Sequence, residues 1–243
     1  MTAYLRLEVL RVLRNSRYLL LSLATPVGFY LLFTSIFGAE SAEGLAQPVE
    51  AMVSMAAYGA IGAVLFTTGP RVATEREAGW LRQLRATPLP AGKVIAAKVL
   101  AAMALGLPAV VVVSITAGLV QGVRLTAGEW TGFIAVTTLG TAPFAMLGLL
   151  IGYLADSDSA HSLTLAAWFV LPAIGGLWMP LRLLPEALRA VGRVLPTNRL
   201  GDLGWRIAAG QGPRVSSGLI LLGWTAGLAV LAAWSYRRSS VAG

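Results

Sequence analysis

The sequence contains no cysteine and a single histidine, His161. Disulfides and cysteine metal sites are therefore excluded, and the redox compartment leaves no trace in the chain. Charge is scarce as well, at 12% of 243 residues, against about a quarter in ordinary globular chains. Hydrophobic residues reach 56%, and a water-soluble protein this apolar would expose large adhesive patches. A bilayer removes that difficulty. Sequence motifs for enzyme chemistry are missing too. Gly92-Lys93 is followed by Val94 and lacks the upstream glycine of a G-x-x-x-x-G-K-[ST] phosphate cradle. There is no G-x-S-x-G elbow and no H-E-x-x-H zinc motif. The polypeptide is accordingly read as a non-enzyme with no metal, catalytic residue or cofactor of its own.

What is present is a series of long apolar runs. Tyr18–Phe37, Ala51–Gly69, Val99–Val123, Trp130–Leu154, Leu163–Leu181 and Val215–Trp234 carry no charge. Each is long enough to cross about 30 Å of hydrocarbon at 1.5 Å per residue. Helices are expected, because lipid-exposed backbone must satisfy its hydrogen bonds within the segment. The alternation of barrel strands is absent. The first run exceeds a signal-peptide core and no small-residue cleavage site follows it, so it is read as a span. No linker divides the chain, which reads as one domain over residues 1–243 with an all-α, six-span membrane fold.

Lys and Arg residues set the expected orientation. Six spans place both termini and alternate loops on one side, which carries Arg6, Arg11, Arg14, Arg17, Arg71, Arg76, Arg82, Arg85, Lys93, Lys98, Arg237 and Arg238. The other side carries Arg124, Arg182, Arg189, Arg193, Arg199, Arg206 and Arg214. Twelve against seven, of 19 in all, puts both termini in the cytoplasm. The first outer loop agrees, with Glu40, Glu43 and Glu50 but no basic residue. The net charge of +8 is thereby assigned to span flanks and membrane lipid, and no nucleic-acid partner is expected.

Three segments lie outside the spans. Residues 1–17 suit an interfacial helix, with Leu5, Val9, Val12 and Leu13 on one side and Arg6, Arg14 and Arg17 broadly opposite; an ordinary basic flank remains the alternative. Residues 71–92 are predicted to contain a short helix with Ala73, Glu77, Trp80, Leu81 and Leu84 in one stripe and Glu75 and Arg82 pointing away. Thr87, Pro88 and Pro90 end it. The Trp-Leu-Leu ridge, flanked by Arg76 and other charges, suits either a groove on another protein or the membrane interface. Residues 182–213 suggest short helices, with Pro185 starting one and Pro196 ending it. Leu188, Val191 and Leu195 share a face there, and Arg189 and Arg193 stack four apart. Asp156, Asp158 and His161 fall on a predicted short loop, where acids more often cap helices than bind metal.

The run EREAGWLRQLRATPLP between the second and third spans resembles the loop of type-two ATP-binding-cassette (ABC-2 type) permeases. Glu75, Glu77, Gly79, Leu84, Thr87 and Pro88 match that family's acidic pair, glycine and Thr-Pro-like ending. The run MPLRLLPEALRAVGRVLPTNRLGDLGWRIAAGQGP is similar to its external segment, through Met179, Pro180, Leu195, Pro196 and Thr197. The resemblance covers essentially the whole chain. It implies a coupling helix in residues 71–92 seated in a separate ATPase, and an external re-entrant segment at 182–213 forming a gate. It also implies two ATPase subunits that bind ATP and Mg, and a second permease copy or a sister permease completing the pore. The expected setting is the bacterial cytoplasmic (inner) membrane. Family members mostly export drugs, antibiotics, lipids or polysaccharides, and the short loops here suit a small amphipathic substrate, as in efflux-based antibiotic resistance.

The spans carry no deep Asp, Glu, Lys, Arg or His, which argues against proton coupling within this chain. Pro26, Pro108, Pro143 and Pro172 interrupt apolar runs, and Gly148 and Gly152 permit close helix contact. Tyr58, Phe66, Trp168, Phe169 and Trp178 are candidates to line a substrate path, with packing or lipid contact as the plainer alternative. A passive channel or scaffold without ATP coupling is the alternative function; a lipid-metabolising enzyme is disfavoured by the scattered acids.

Overall fold

A computed structural model describes residues 16–37, 45–79 and 91–238. The apolar runs become helices, and no β-strand occurs among the described residues. In chain order they are α1 (Ser16–Phe37), α2 (Gln47–Glu77), α3 (Ala91–Val120), α4 (Ala127–Leu139), α5 (Ala142–Leu154) and α6 (Ser157–Ile174). A 3-10 turn at Leu181–Leu183 then leads to α7 (Glu186–Val194), α8 (Pro196–Ala208) and α9 (Val215–Arg238). Among the described residues, four stretches are long and apolar enough to cross a membrane: Gln47–Glu77, Gly92–Val120, Ala127–Leu154 and Val215–Tyr236. The first and fifth apolar runs are also helical, as α1 and α6, but are not among these four. Leu23–Ile36 is a shorter apolar stretch, and α6 opens with a polar turn.

Helix α2 is the hub. In its most apolar window 83% of the residues are buried, against 22% for α9, and α1, α3, α5, α6 and α8 all pack on it. Small residues make this possible. A Cβ on Gly148 would collide with the Thr68 hydroxyl, and one on Gly152 would lie 2.6 Å from the Gly69 carbonyl. The expected small-residue pair of α5 thus seats that helix directly on α2, where close van der Waals contact replaces the absent hydrophobic driving force.

Several boundaries differ from the sequence expectation. Span two does not stop at Gly69 but continues to Glu77, where Gly79 at φ +73° ends the helix. Ala73 and Glu77 of the expected stripe thus lie on α2, while Trp80, Leu81 and Leu84 fall outside the described residues. Span three begins at Ala91 rather than Val99 and so includes Lys93 and Lys98. Span four breaks between Leu139 and Ala142. Pro143 cannot donate to the Leu139 carbonyl, and the Leu200 side chain fills the space where a Gly140 Cβ would stand.

Span five starts at Ser157 rather than Leu163, because Asp156 caps it. It ends at Ile174, and the Gly175–Gly176 turn, with Gly176 at φ +82°, carries the chain away. Asp158 and His161 therefore sit on a helix and not on a loop. Pro196 opens α8 as well as following α7. The interfacial helix expected over residues 1–17 falls almost wholly outside the described residues.

The hub makes a direct prediction. Gly152→Val would force a branched side chain against the Gly69 carbonyl, and overpacking of this kind costs about 1–3 kcal/mol. The variant is expected to lose monodisperse protein at a lower temperature than wild type in detergent. An unchanged melting profile would mean that α5 does not depend on this contact.

Candidate functional site

The bundle has two ends, set by α2. Its C-terminal end meets the end of α5 and the start of α6. There Arg76 donates through Nη2 to the Ala155 carbonyl at 2.7 Å and through Nη1 to the Tyr153 carbonyl. Glu77 Oε1 accepts the Ser157 N–H at 2.8 Å. A cation thus meets the orphan carbonyls that end α5, and an anion meets the orphan amides that start α6. Both placements complement the helix dipoles. Asp156 completes the junction by accepting from the Ser159 N–H and hydroxyl, each at 2.9 Å. Those hydrogen bonds hold its carboxyl below the usual value. The cap is consequently charged at neutral pH, and its contribution is lost as pH falls through that depressed range.

Immediately before them in the chain, Glu75 lies between α2 and α3. Its Oε2 pairs with Lys98 Nζ at 2.5 Å and its Oε1 with Arg71 Nε at 3.3 Å. Lys98 is only 6% exposed. The helical pattern of the sequence points Glu75 away from the packed face. The structure turns it inward, because α3 starts early enough to bring Lys98 beside it. Burying three charges is tolerable here because each has an opposite partner. Gly79 ends α2, and Trp80, Leu81, Leu84, Thr87 and Pro88 lie outside the described residues.

The five aromatic candidates come together. Tyr58 and Trp168 stack at 4.7 Å with rings 4° apart, and Trp168 Nε1 donates to the Tyr58 carbonyl at 3.2 Å. A Cβ on Gly62 would collide with that indole. Phe66 meets Trp168 edge-on at 5.4 Å and approaches His161 at 5.7 Å. Phe169 touches both Trp168 and Trp178, at 5.2 and 5.5 Å. Trp178 also packs on Tyr58 and on Phe29 of α1. The rings therefore form a continuous ladder from His161, near the charged junction, to Trp178 beyond the far end of α6. Within the ladder, Tyr58 Oη and Trp178 Nε1 are buried without a hydrogen-bond partner, which is costly unless something bonds them.

At the opposite end, Met179 is exposed and Pro180 leads into the 3-10 turn. Leu195 joins α7 to α8, and Pro196 is buried. Thr197 and Asn198 fasten this segment by donating to the Leu171 and Gly175 carbonyls at 2.9 and 3.1 Å. Trp205 anchors it to the start of α2 through the Glu50 carbonyl at 3.3 Å.

Sequence reasoning missed three features: the Arg76 and Glu77 contacts, the Glu75–Lys98 pair, and the Thr197–Asn198 fastening. Only the Asp156-x-x-Ser159 cap had a local signal. Glu75→Gln would remove the carboxylate that Lys98 and Arg71 share, at a cost of about 3–5 kcal/mol, while Lys98→Met, which keeps the Arg71–Glu75 pair, should cost clearly less. Thermal unfolding in detergent separates the cases. Equal melting of wild type and the Glu75→Gln variant would show the cluster to be solvated.

Residues 1–201 match the ABC-2 type transporter family. The chain is also 28% identical over 217 residues, 89% of either sequence, to YvfS of Bacillus subtilis (strain 168), a protein named as a transport permease.

Proposed function

The chain belongs to the ABC-2 type transporter family, and from this we propose that it exports a small amphipathic molecule, powered by a separate ATPase. Family membership makes it a multi-pass membrane subunit of a transporter, not an enzyme. The family also implies an ATPase partner in general. Two such subunits, holding ATP and Mg, are proposed to dock on residues 71–92, where Glu75, Arg76, Glu77 and Gly79 lead into the Trp80–Pro88 segment. A second permease copy, or a sister permease, completes the pore. The charged junction faces the cytoplasm in this reading, supported by the Lys and Arg asymmetry, and the membrane is the bacterial cytoplasmic one.

The observation that carries the proposal is the pairing of α2 with α6. The two helices are joined at the junction through Glu77 and Ser157 and again at the ladder through Trp168 and Tyr58. Motion delivered to residues 71–92 would thus reach the aromatic rings through two helices already fastened together. The rings offer flat apolar faces, and Tyr58 Oη and Trp178 Nε1 offer unsatisfied polar atoms. That combination favours a cargo with both characters, such as a drug, an antibiotic or a lipid, with resistance as one physiological consequence. Met179, Pro180, Leu195 and Pro196 would gate its exit.

Co-expression with a neighbouring ATPase, purification through a tag on this chain and assay of ATP hydrolysis in lipid test the reading. An active complex is expected. Failure to recover any ATPase would favour a passive channel or scaffold. Glu77→Lys places a cation at the α6 N-terminus, against the helix dipole by about 0.3–1 kcal/mol, and is expected to insert normally but lose the ATPase and transport. Normal coupling in that variant would remove the assignment of the loop. Trp168→Ala deletes ring contacts worth about 0.5–1.5 kcal/mol each. It should raise the concentration of amphipathic dye needed to stimulate hydrolysis roughly 3- to 10-fold.

A further inference from the structure

The end of the bundle opposite the charged junction contains a cavity of about 400 Å³, lined largely by the segment proposed to gate the exit, whose charged lining the gating role does not explain. It lies between the first turn of α2, the 3-10 turn, α7 and α8. Arg182, Arg189, Arg193 and Arg206 line it together with the acids Glu50 and Asp202. Asp202 is already engaged from outside the cavity, by Arg214 at 3.5 Å and by the Ser217 hydroxyl at 2.6 Å. Among the described residues, four guanidinium groups thus line the cavity with two carboxylates.

Two of these arginines are held in place by backbone. Arg189 Nη2 donates to the Arg182 and Leu184 carbonyls, both at 3.1 Å, while its Nε is buried without a partner. Arg206 Nε donates to the Gly212 carbonyl at 3.2 Å. Fixing a guanidinium with neutral carbonyls orients its fork without neutralising its charge, and that planar fork matches the oxygens of a phosphate.

The surroundings indicate what carries the anion. Helix α7 has Arg189 and Arg193 on the cavity side, whereas Leu188, Val191 and Val194 are exposed, as is Leu183 just before it. A helix with basic residues on one side and bare aliphatics on the other lies in a membrane interface, with its apolar side among acyl chains and its cations at headgroup depth. A phosphate bound in this cavity can therefore remain attached to hydrocarbon lying against the aliphatic side of α7.

We propose that this arginine-lined cavity binds the phosphate of an anionic lipid headgroup at the membrane surface opposite the charged junction. The bound lipid would bridge Arg189 and Arg206 through its phosphate and hold α7 and the 3-10 turn against α8.

Binding of short-chain phosphatidylglycerol to the purified full-length chain, followed by native mass spectrometry and by thermal shift, tests the proposal. Matched phosphatidylcholine and inorganic phosphate serve as the other two probes. Phosphatidylglycerol should bind at least about tenfold more tightly than either and weaken as salt is raised, as expected for a partly exposed ion pair. Arg182→Gln with Arg193→Gln removes two exposed cavity arginines, spares Arg189 and Arg206, and should weaken phosphatidylglycerol about tenfold or more. Melting of this variant without lipid serves as the folding control. If it is misfolded, Arg193→Gln alone tests the same site and should weaken binding about threefold. Equal affinity for the two lipids, or undiminished binding to the folded variant, overturns the proposal. Inorganic phosphate binding as tightly as the lipid overturns the lipid assignment.

Discussion

The end of α2 holds the architecture together through two adjacent side chains of opposite charge. Arg76 reaches the last carbonyls of α5, and Glu77 reaches the first amide of α6. Helix ends near a membrane surface leave backbone groups that must find partners, and here one helix supplies partners for two others. The sharp α5–α6 turn is thereby tied to the segment that leads into residues 80–90. Farther along, Gly148 and Gly152 let α5 lie against α2, and Gly62 admits the Trp168 indole. Without the small residues the helices would stand too far apart for those two side chains to reach across.

The chemistry is distributed along the bundle in a consistent order. Charges concentrate at one end, where Glu75 joins Lys98 and Arg71 within the helix packing. Aromatic rings occupy the middle, with hydrogen-bonding atoms left unmatched at Tyr58 and Trp178. Arginines gather at the other end around a cavity beside α7. The three zones suit three different roles. The first can receive force from a partner, the second can accommodate an amphipathic molecule, and the third can meet the opposite membrane surface.

Much of this was legible in the sequence. The apolar runs located every long helix among the described residues, and the five aromatic residues that suggest a path form one ladder. The ends of the helices were not legible, for a physical reason. Hydropathy treats Arg71, Glu75 and Lys98 as loop residues, because it cannot register that Lys98 neutralises Glu75 from 23 positions away. It likewise stopped short of Ser157, since the polar opening turn of α6 is stabilised by Asp156 and Glu77 rather than by burial. The break at Gly140 has a local signal in Pro143, yet the Leu200 side chain that fills it lies on a distant helix. The coupling residues from Trp80 to Pro88 remain a matter of resemblance, now extended from a loop end whose attachments are defined.

The central claim is that the end of α2 and the start of α6 move as one body when the partner ATPase turns over. The natural absence of cysteine allows spin labels to be introduced at Ala78 and Asp158, both exposed and flanking the junction. Electron–electron distance measurements on the complex with its ATPase, taken nucleotide-free and in a trapped hydrolysis state, test the claim directly. The account predicts the same Ala78–Asp158 distance in both states. A distance that changes with nucleotide would contradict it, since the junction would then be opening rather than transmitting.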